Sequence, residues 1–468
     1  MAFEKIIDRE NEFEILEKQY LSKRSGLIAI YGRRRIGKSF FLTKFTLKHQ
    51  GLYFEALEAM NTQEQIAHFL IQLSEQLHDP VFKHIKATSW NVVFDFLTKY
   101  LNGLPHKLVI VFDEFQWMAA GQSKLVSLLK FYWDNHWKNK KLQLVLCGSI
   151  SSYMISKVIR SKALYGRIDI QMRMNPLSPV GISQILKNKI SEDEVIKYMF
   201  IFGGVPKYFD LVDIKKSFHW NIQQLCFEKD AYFSEEFEKI FYSQFKKHKL
   251  HEKIILLLSK KNLTLEEIAK HLNLSSGGGL QRYLKELEEA LFIRSHASIE
   301  TKGKKGKKYK LADEYLIFYF KFIRQNLKLI RAGQGTKIFS EQVYPKWSPW
   351  TGIAFENFCY RNLSKIVSFL EIDGKLTDFG PYFSSKVEGV QVDLVLMTNE
   401  NTTYVCECKY TINKIDASVI KDFEKKLALL KLPRSTSIKK VLISANGVTS
   451  ELEKSEYFDY IMTAHDFF

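Results

Sequence analysis

Gly32-Arg33-Arg34-Arg35-Ile36-Gly37-Lys38-Ser39 has the spacing G-x-x-x-x-G-K-S. It follows the apolar run 26–31 and precedes a helical stretch that opens Ser39-Phe40-Phe41. In that strand–loop–helix setting the pattern reads as a phosphate cradle. The glycines let successive backbone N–H groups curl toward phosphate oxygens, and the helix N-terminus adds a favourable dipole. Lys38 would reach the terminal phosphates, and Ser39 would offer its hydroxyl to Mg2+. Further along, the apolar run 108–112 ends in Asp113-Glu114. Asp113 would hold the Mg2+ through water, and Glu114 would orient and deprotonate an attacking water. Acids at a strand end also cap helices. Joined to the upstream loop, this pair points to hydrolysis of a nucleoside triphosphate rather than binding alone.

A second constellation lies near the other end of the chain. Asp393 stands in VQVDLVLM, and Glu407-Cys408-Lys409 closes TYVCECK. Alternate residues of a strand share a face, so Glu407 and Lys409 point together, away from Cys406 and Cys408. By the same rule Val390, Val392, Leu394 and Leu396 face opposite Asp393. If the two runs pair as a hairpin, Asp393, Glu407 and Lys409 converge. Two carboxylates that hold Mg2+, with a lysine that positions water or offsets developing charge, suit phosphodiester hydrolysis. Glu356, in a helical stretch over 352–368, would approach the same metal. The competing reading is a set of surface acids and a lysine on an inert docking domain.

Several single residues carry two readings each. The run 142–147 leads into Gly148-Ser149-Ile150-Ser151. Ser149 would touch the γ-phosphate or the attacking water, or merely cap a turn. Arg167 follows Leu164-Tyr165-Gly166 and would serve as an arginine finger, in cis or from a neighbouring copy. The second case would make self-association through this domain part of the reading; a structural ion pair is the alternative. Arg33, Arg34 and Arg35 would add charge near phosphate or a neighbouring subunit, or hold structural partners. Phe202-Gly203-Gly204-Val205-Pro206 would close over the base or form a plain turn.

The elements that position these residues fall into three blocks. Residues 1–240 alternate short apolar runs with helices, which implies a parallel sheet covered on both faces, with a helical lid from about 180. Residues 241–340 hold short amphipathic helices over 250–260, 265–272 and 280–291, then a lysine-rich hairpin and a helix over 313–323. They read as a winged-helix domain with Gln281, Arg282 and Lys285 on the recognition helix. The wing, 302–310, carries six lysines, suited to phosphate contacts. Residues 341–468 read as a mixed α/β domain with strands over 391–397 and 403–409. The expected class is α/β multidomain.

YGRRRIGKS, FDEFQW, LCGS, LYGR and FGGVPKYF, in that order, resemble the archaeal-type ATPases of the STAND branch of AAA+ P-loop proteins. The box Ile7-Asp8-Arg9-Glu10-Asn11-Glu12 is similar to that family's N-terminal box, which lies beside the adenine. The resemblance covers about 1–240. It implies ATP and Mg2+ as cofactors and Arg9 at the nucleotide. It also puts Gly204 and Pro206 at the family's nucleotide-sensing Gly-x-Pro. The helix Glu, Asp and Glu-x-Lys set resembles the PD-(D/E)xK restriction-endonuclease-like fold. The family's ATPases often carry such a domain at this end, opened by a stretch like Gly352-Ile-Ala-Phe355-Glu356. Gln391 stands where many relatives show an acid.

Composition sets the outer bounds. The chain has 468 residues, 46% apolar and 26% charged, which excludes a largely disordered protein. No apolar run approaches the ~18 residues that span a bilayer, and the charged N-terminus lacks a signal-peptide core. A net charge of +17 favours a polyanionic partner, with nucleic acid, DNA first, ahead of a membrane surface. Five cysteines, Cys147, Cys226, Cys359, Cys406 and Cys408, suit buried reduced thiols in a cytoplasm better than a metal site. The combined expectation is an ATPase that engages nucleic acid, with a Mg2+-dependent nuclease domain gated by ATP. Its rivals are a non-cutting ATP-dependent switch and an ATP-driven platform for protein or RNA partners.

Overall fold

The computed structural model describes residues 6–119, 124–149, 153–244, 248–297, 307–383, 391–432 and 436–468. The expected positions Ile150 and Ser151, the wing residues 302–306 and Val390 lie outside them. The chain forms two compact units, Met1–Pro176 and Leu177–Phe468. The segment expected as a lid therefore clusters with the C-terminal part.

The first unit is built on five parallel strands: β1 (Gly26–Gly32), β2 (Leu52–Glu55), β3 (Leu108–Asp113), β4 (Leu142–Ser149) and β5 (Ile170–Met174). Their order is β2-β3-β4-β1-β5. Near-continuous apolar runs make this possible, because alternate residues feed opposite faces and both faces are covered. Leu27, Ala29, Ile110, Phe112, Leu144 and Leu146 join one core, with residues of the helices Thr62–Leu77, Trp90–Asn102 and Lys124–Tyr132. Ile28, Ile30, Val109, Val111, Val145 and Cys147 join the other, with Leu16 and with Phe41, Leu42 and Phe45 of the helix Lys38–Lys48. This order sets β4 between β1 and β3 and brings three strand ends together.

The second unit opens with helices, among them Glu192–Phe202, Phe218–Cys226 and Tyr232–Gln244. A small module follows. Helices His248–Leu258, Leu265–Leu272 and Gly278–Glu289 accompany a three-stranded antiparallel sheet of β6 (Leu263–Thr264), β7 (Ile293–His296) and β8 (Lys308–Leu311). Thr264 starts its helix with a reciprocal capping box to Glu267.

The last part is a mixed sheet ordered β13-β12-β11-β10-β9. Its strands are β9 (Leu376–Phe383), β10 (Gln391–Thr398), β11 (Thr402–Lys409), β12 (Ser437–Ser444) and β13 (Tyr460–Thr463). The expected hairpin is present: β10 and β11 run antiparallel, with Leu394 opposite Cys406. The strict alternation expected along β10 is broken. Its pairing with β9 shifts register between Val392 and Val395, with one extra residue on the β10 side. Val392 consequently joins Val395 and Val405 in one core. Asp393 lies inside this irregularity, and a bulge of this kind re-aims a side chain. Among the described residues no helix is long and apolar enough to cross a membrane.

Candidate functional site

The ends of β1, β3 and β4 carry the first site. Gly37 opens the helix Lys38–Lys48 with φ +89°, a conformation that favours glycine. Lys38 is buried, and its Nζ donates to the carbonyls of Gly32 at 3.1 Å and Arg33 at 3.0 Å. Ser39 Oγ donates to Asp113 Oδ2 at 2.6 Å. The two groups expected to share Mg2+ therefore meet, and they bring hard oxygen donors of the kind that ion takes.

Glu114 stands just beyond β3 in the left-handed region, φ +49°, which is costly for a side-chain-bearing residue and often found at functional sites. Asp113 steadies it by accepting its backbone N–H at 2.8 Å. Ser149 is the register partner of Gly32, so β4 delivers it between loop and acid. Its hydroxyl donates to both Glu114 oxygens at 3.4 Å.

Two partners went unforeseen. Tyr53 of β2 donates its hydroxyl to Asp113, and Gln116 donates to Glu114. Burial and the neighbouring Asp113 push the Tyr53 hydroxyl far up, so it remains a donor. Burial, Asp113 and Glu114 raise Glu55 as well. The strand end thus concentrates negative charge.

The flanking predictions resolve individually. Arg9 is buried and bonds the backbone carbonyls of Ile36 at 3.4 Å and Asn175 at 2.5 Å, so it braces the loop from behind. Arg34 lies over Trp117 at 5.1 Å, Arg33 is buried, and Phe40 is half exposed. Arg167 holds Asp134 bidentately, at 2.7 and 2.8 Å. The guanidinium fork is thereby taken up locally, the ion-pair alternative. Asp134 is held down at about 2 by that hydrogen bond. Pro206 starts the helix Pro206–Phe209 in the second unit. There a Cβ on Gly204 would collide with the backbone of Leu177, which gives that glycine a packing reason.

The second site forms around the β10–β11 hairpin. Asp393 accepts the backbone N–H of Cys408 at 3.2 Å. Burial and the neighbouring Glu407 push its carboxyl up. Glu356, on the helix Trp347–Arg361, is also pushed up, by burial and by Asp393. The predicted carboxylates therefore share one neighbourhood. The expected metal does not fit them as arranged. Buried Glu407 is held by Lys409 at 3.0 Å and by Lys426 at 2.7 Å, the latter from the helix Ser418–Leu429. Among the described residues no three His, Cys, Asp or Glu side chains are placed to hold a metal ion. Lys409, expected to position water or offset developing charge, lies against Glu407 in this arrangement.

Lys310 is a second correction. Expected on a phosphate-contacting wing, it is turned inward, where burial lowers its pKa and Glu356 and Asp393 act on it. Gln281, Arg282 and Lys285 are exposed on the helix Gly278–Glu289. Cys406 and Cys408 are buried, with Cys408 hydrogen-bonded to Cys359.

Two stretches of the chain match known families. Residues 6–212 match a family described as an ATPase domain predominantly from Archaea. Residues 319–420 match one described as Archaea bacterial proteins of unknown function. An uncharacterised protein of Methanocaldococcus jannaschii is 28% identical over 409 residues, 86% of this chain and 87% of that protein. An uncharacterised ATP-binding protein of the same organism is 41% identical over 39 residues, 8% of this chain and 66% of that protein. Among solved structures, a Walker-type ATPase of Pyrococcus abyssi aligns at 18% identity with a TM-score of 0.52, over 68% of this chain and 99% of that one. That likeness concerns the fold. With the site at the ends of β1, β3 and β4, the match over residues 6–212 makes the chain an ATPase.

Proposed function

We propose that the chain is an ATP-dependent switch that engages nucleic acid. The observation that carries the ATP half is the array Ser39–Asp113–Glu114–Ser149 at three adjacent strand ends. Bound Mg2+, held by Ser39 and Asp113, would neutralise charge on the transferred phosphates. Glu114 takes the proton of the attacking water, with Ser149 and Gln116 fixing its carboxylate. Lys38 exchanges its loop carbonyls for phosphate oxygens. Arg9 belongs to the support of this loop, and Pro206 and the STAND-type assignment extend the same reading.

The nucleic-acid half rests on the module of β6–β8 and its three helices, read as a winged helix, with Gln281, Arg282 and Lys285 exposed and a chain charge of +17. DNA is the preferred partner. The nuclease reading stands second, favoured by the neighbourhood of Asp393, Glu407 and Glu356 in a restriction-endonuclease-like setting. The lysines on Glu407 favour the non-cutting form.

One experiment separates them. The full chain is titrated onto single- and double-stranded DNA at several salt concentrations, with and without ATP. Cleavage in Mg2+ or Mn2+ is followed in the same samples, against Asp393→Ala. The switch reading expects binding that weakens steeply with salt and no cleavage. Cleavage lost in Asp393→Ala establishes the second reading. Salt-insensitive or absent binding removes the nucleic-acid half.

A further inference from the structure

Cations surround the C-terminal acids. Arg294 and Lys310 are direct partners across the β7–β8 ladder. Both approach the ring of Tyr360, at 3.9 and 5.8 Å from its centroid. Tyr360 lies one helical turn beyond Glu356, so the pair faces that carboxylate too. Nε and Nη2 of Arg294 and the Tyr360 hydroxyl are buried with no hydrogen-bond partner. A buried guanidinium with spare donors is tolerated only where negative charge is near. Burial lowers its pKa to about 10, and Tyr360, Glu314 and Glu356 act against that shift.

The arrangement is fixed rather than incidental. Just past β8, Ala312 O accepts from Asn357 Nδ2 at 2.9 Å. Arg361 holds Glu314 at 3.0 and 2.9 Å. Asn357 and Arg361 are the sequence neighbours of Glu356 and Tyr360, so the small sheet is bolted to the helix that carries the acid. On the other side Lys409 and Lys426 hold Glu407. Arg294, Lys310, Lys409 and Lys426 thus oppose Asp393, Glu356 and Glu407. The balance is positive, whereas a divalent ion needs a negative pocket.

We propose that Arg294 and Lys310, aided by Lys426, take the electrostatic place of a divalent metal at the Asp393–Glu407–Glu356 cluster and suppress its loading. This goes beyond the switch reading and concerns the acid cluster alone. A divalent ion entering here meets resident positive charge at close range. Removing one such charge strengthens its binding by about tenfold or more.

The test is a Mn2+ titration of the full chain without nucleotide, with free Mn2+ read by electron paramagnetic resonance. Wild type, Lys310→Met and Lys426→Met are compared, each with and without Asp393→Asn. Both lysine variants are expected to gain an Asp393-dependent Mn2+ site at least about tenfold tighter than wild type. Lys310→Arg keeps the charge and should stay at the wild-type level. Folded variants that bind no tighter than wild type overturn the proposal. So does a wild type that already binds Mn2+ as tightly through Asp393. If Lys310→Met unfolds, Lys426→Met, on a partly exposed surface helix, decides alone. Failure of the switch reading would instead appear in the DNA titration.

Discussion

Both units set carboxylates at the end of a β-strand, and what those carboxylates meet differs. In the first, Asp113 and Glu114 accept from Ser39, Tyr53, Gln116 and Ser149, all neutral donors. Hydroxyls and amides orient a carboxylate without cancelling its charge, so the field remains for a metal–nucleotide complex. In the second, Glu407 accepts from two ammonium groups, and Glu356 faces Lys310 and Arg294. There the charge is already compensated within the fold. The two acids of the first site thus keep their charge under neutral donors, whereas the acids of the second are matched by cations of the fold.

The sharpest way to break that contrast is at Glu114. Glu114→Gln keeps the shape and the contact with Ser149 but removes the base. ATP turnover should fall by roughly 10²–10⁴-fold while nucleotide binding persists. Lys38→Ala should lose both. These are read by phosphate release and by equilibrium binding of a fluorescent ATP analogue. Normal turnover in Glu114→Gln would move the base elsewhere.

A second comparison sets two bidentate arginines against each other. Arg361 and Glu314 are largely buried, with side chains 19% and 6% exposed. Arg361→Met takes away that carboxylate's bidentate cation, leaving the Asn357 amide at 3.3 Å, and should cost about 3 kcal/mol, seen in denaturant unfolding. Arg167 and Asp134 are more open, at 27% and 25%. Arg167→Met should cost no more than about 1 kcal/mol, with turnover near wild type. A turnover loss of roughly 10³-fold would instead restore the arginine finger.

How much of this was legible follows from sequence distance. The phosphate loop is contiguous, and β3 announces itself by ending in two acids, so both could be found from local pattern. Ser149 was reachable because it too ends an apolar run. Tyr53 was not, since β2 must first be laid beside β3, and no local signal fixes strand order; Gln116, two residues beyond Glu114, lay within local reach but carries no motif signal of its own. Asp393, Glu407 and Lys409 were grouped correctly by strand alternation. Alternation could not show the irregularity at Val392–Val395, nor that Lys426 reaches Glu407 from a helix. Lys310 was misjudged for a related reason. In KGKKGKKYK all six lysines look alike, and only the pairing of β7 with β8 sets Lys310 opposite Arg294 and beside the Tyr360 ring.

A pH-dependent effect concerns the same hairpin and has a definite sign. His296, on β7, is pushed down to about 3 by burial first, then by Lys310, Arg294 and Lys308. Its imidazole is neutral in the fold, whereas an unfolded chain takes up a proton near pH 6.5. Between those values the unfolded state binds more protons, so stability falls as pH drops from about 6.5 toward 3. From pH 7 to pH 5 the loss should be about 2 kcal/mol. Raised Glu356 and Asp393 act in the opposite sense, because acid protonates them more readily in the fold. The difference between wild type and His296→Gln, each melted at pH 7 and pH 5, isolates the imidazole. The variant should lose less stability on acidification than wild type. Equal losses would mean that His296 protonates in place, and that the cations beside Glu356 are far enough away to tolerate another charge.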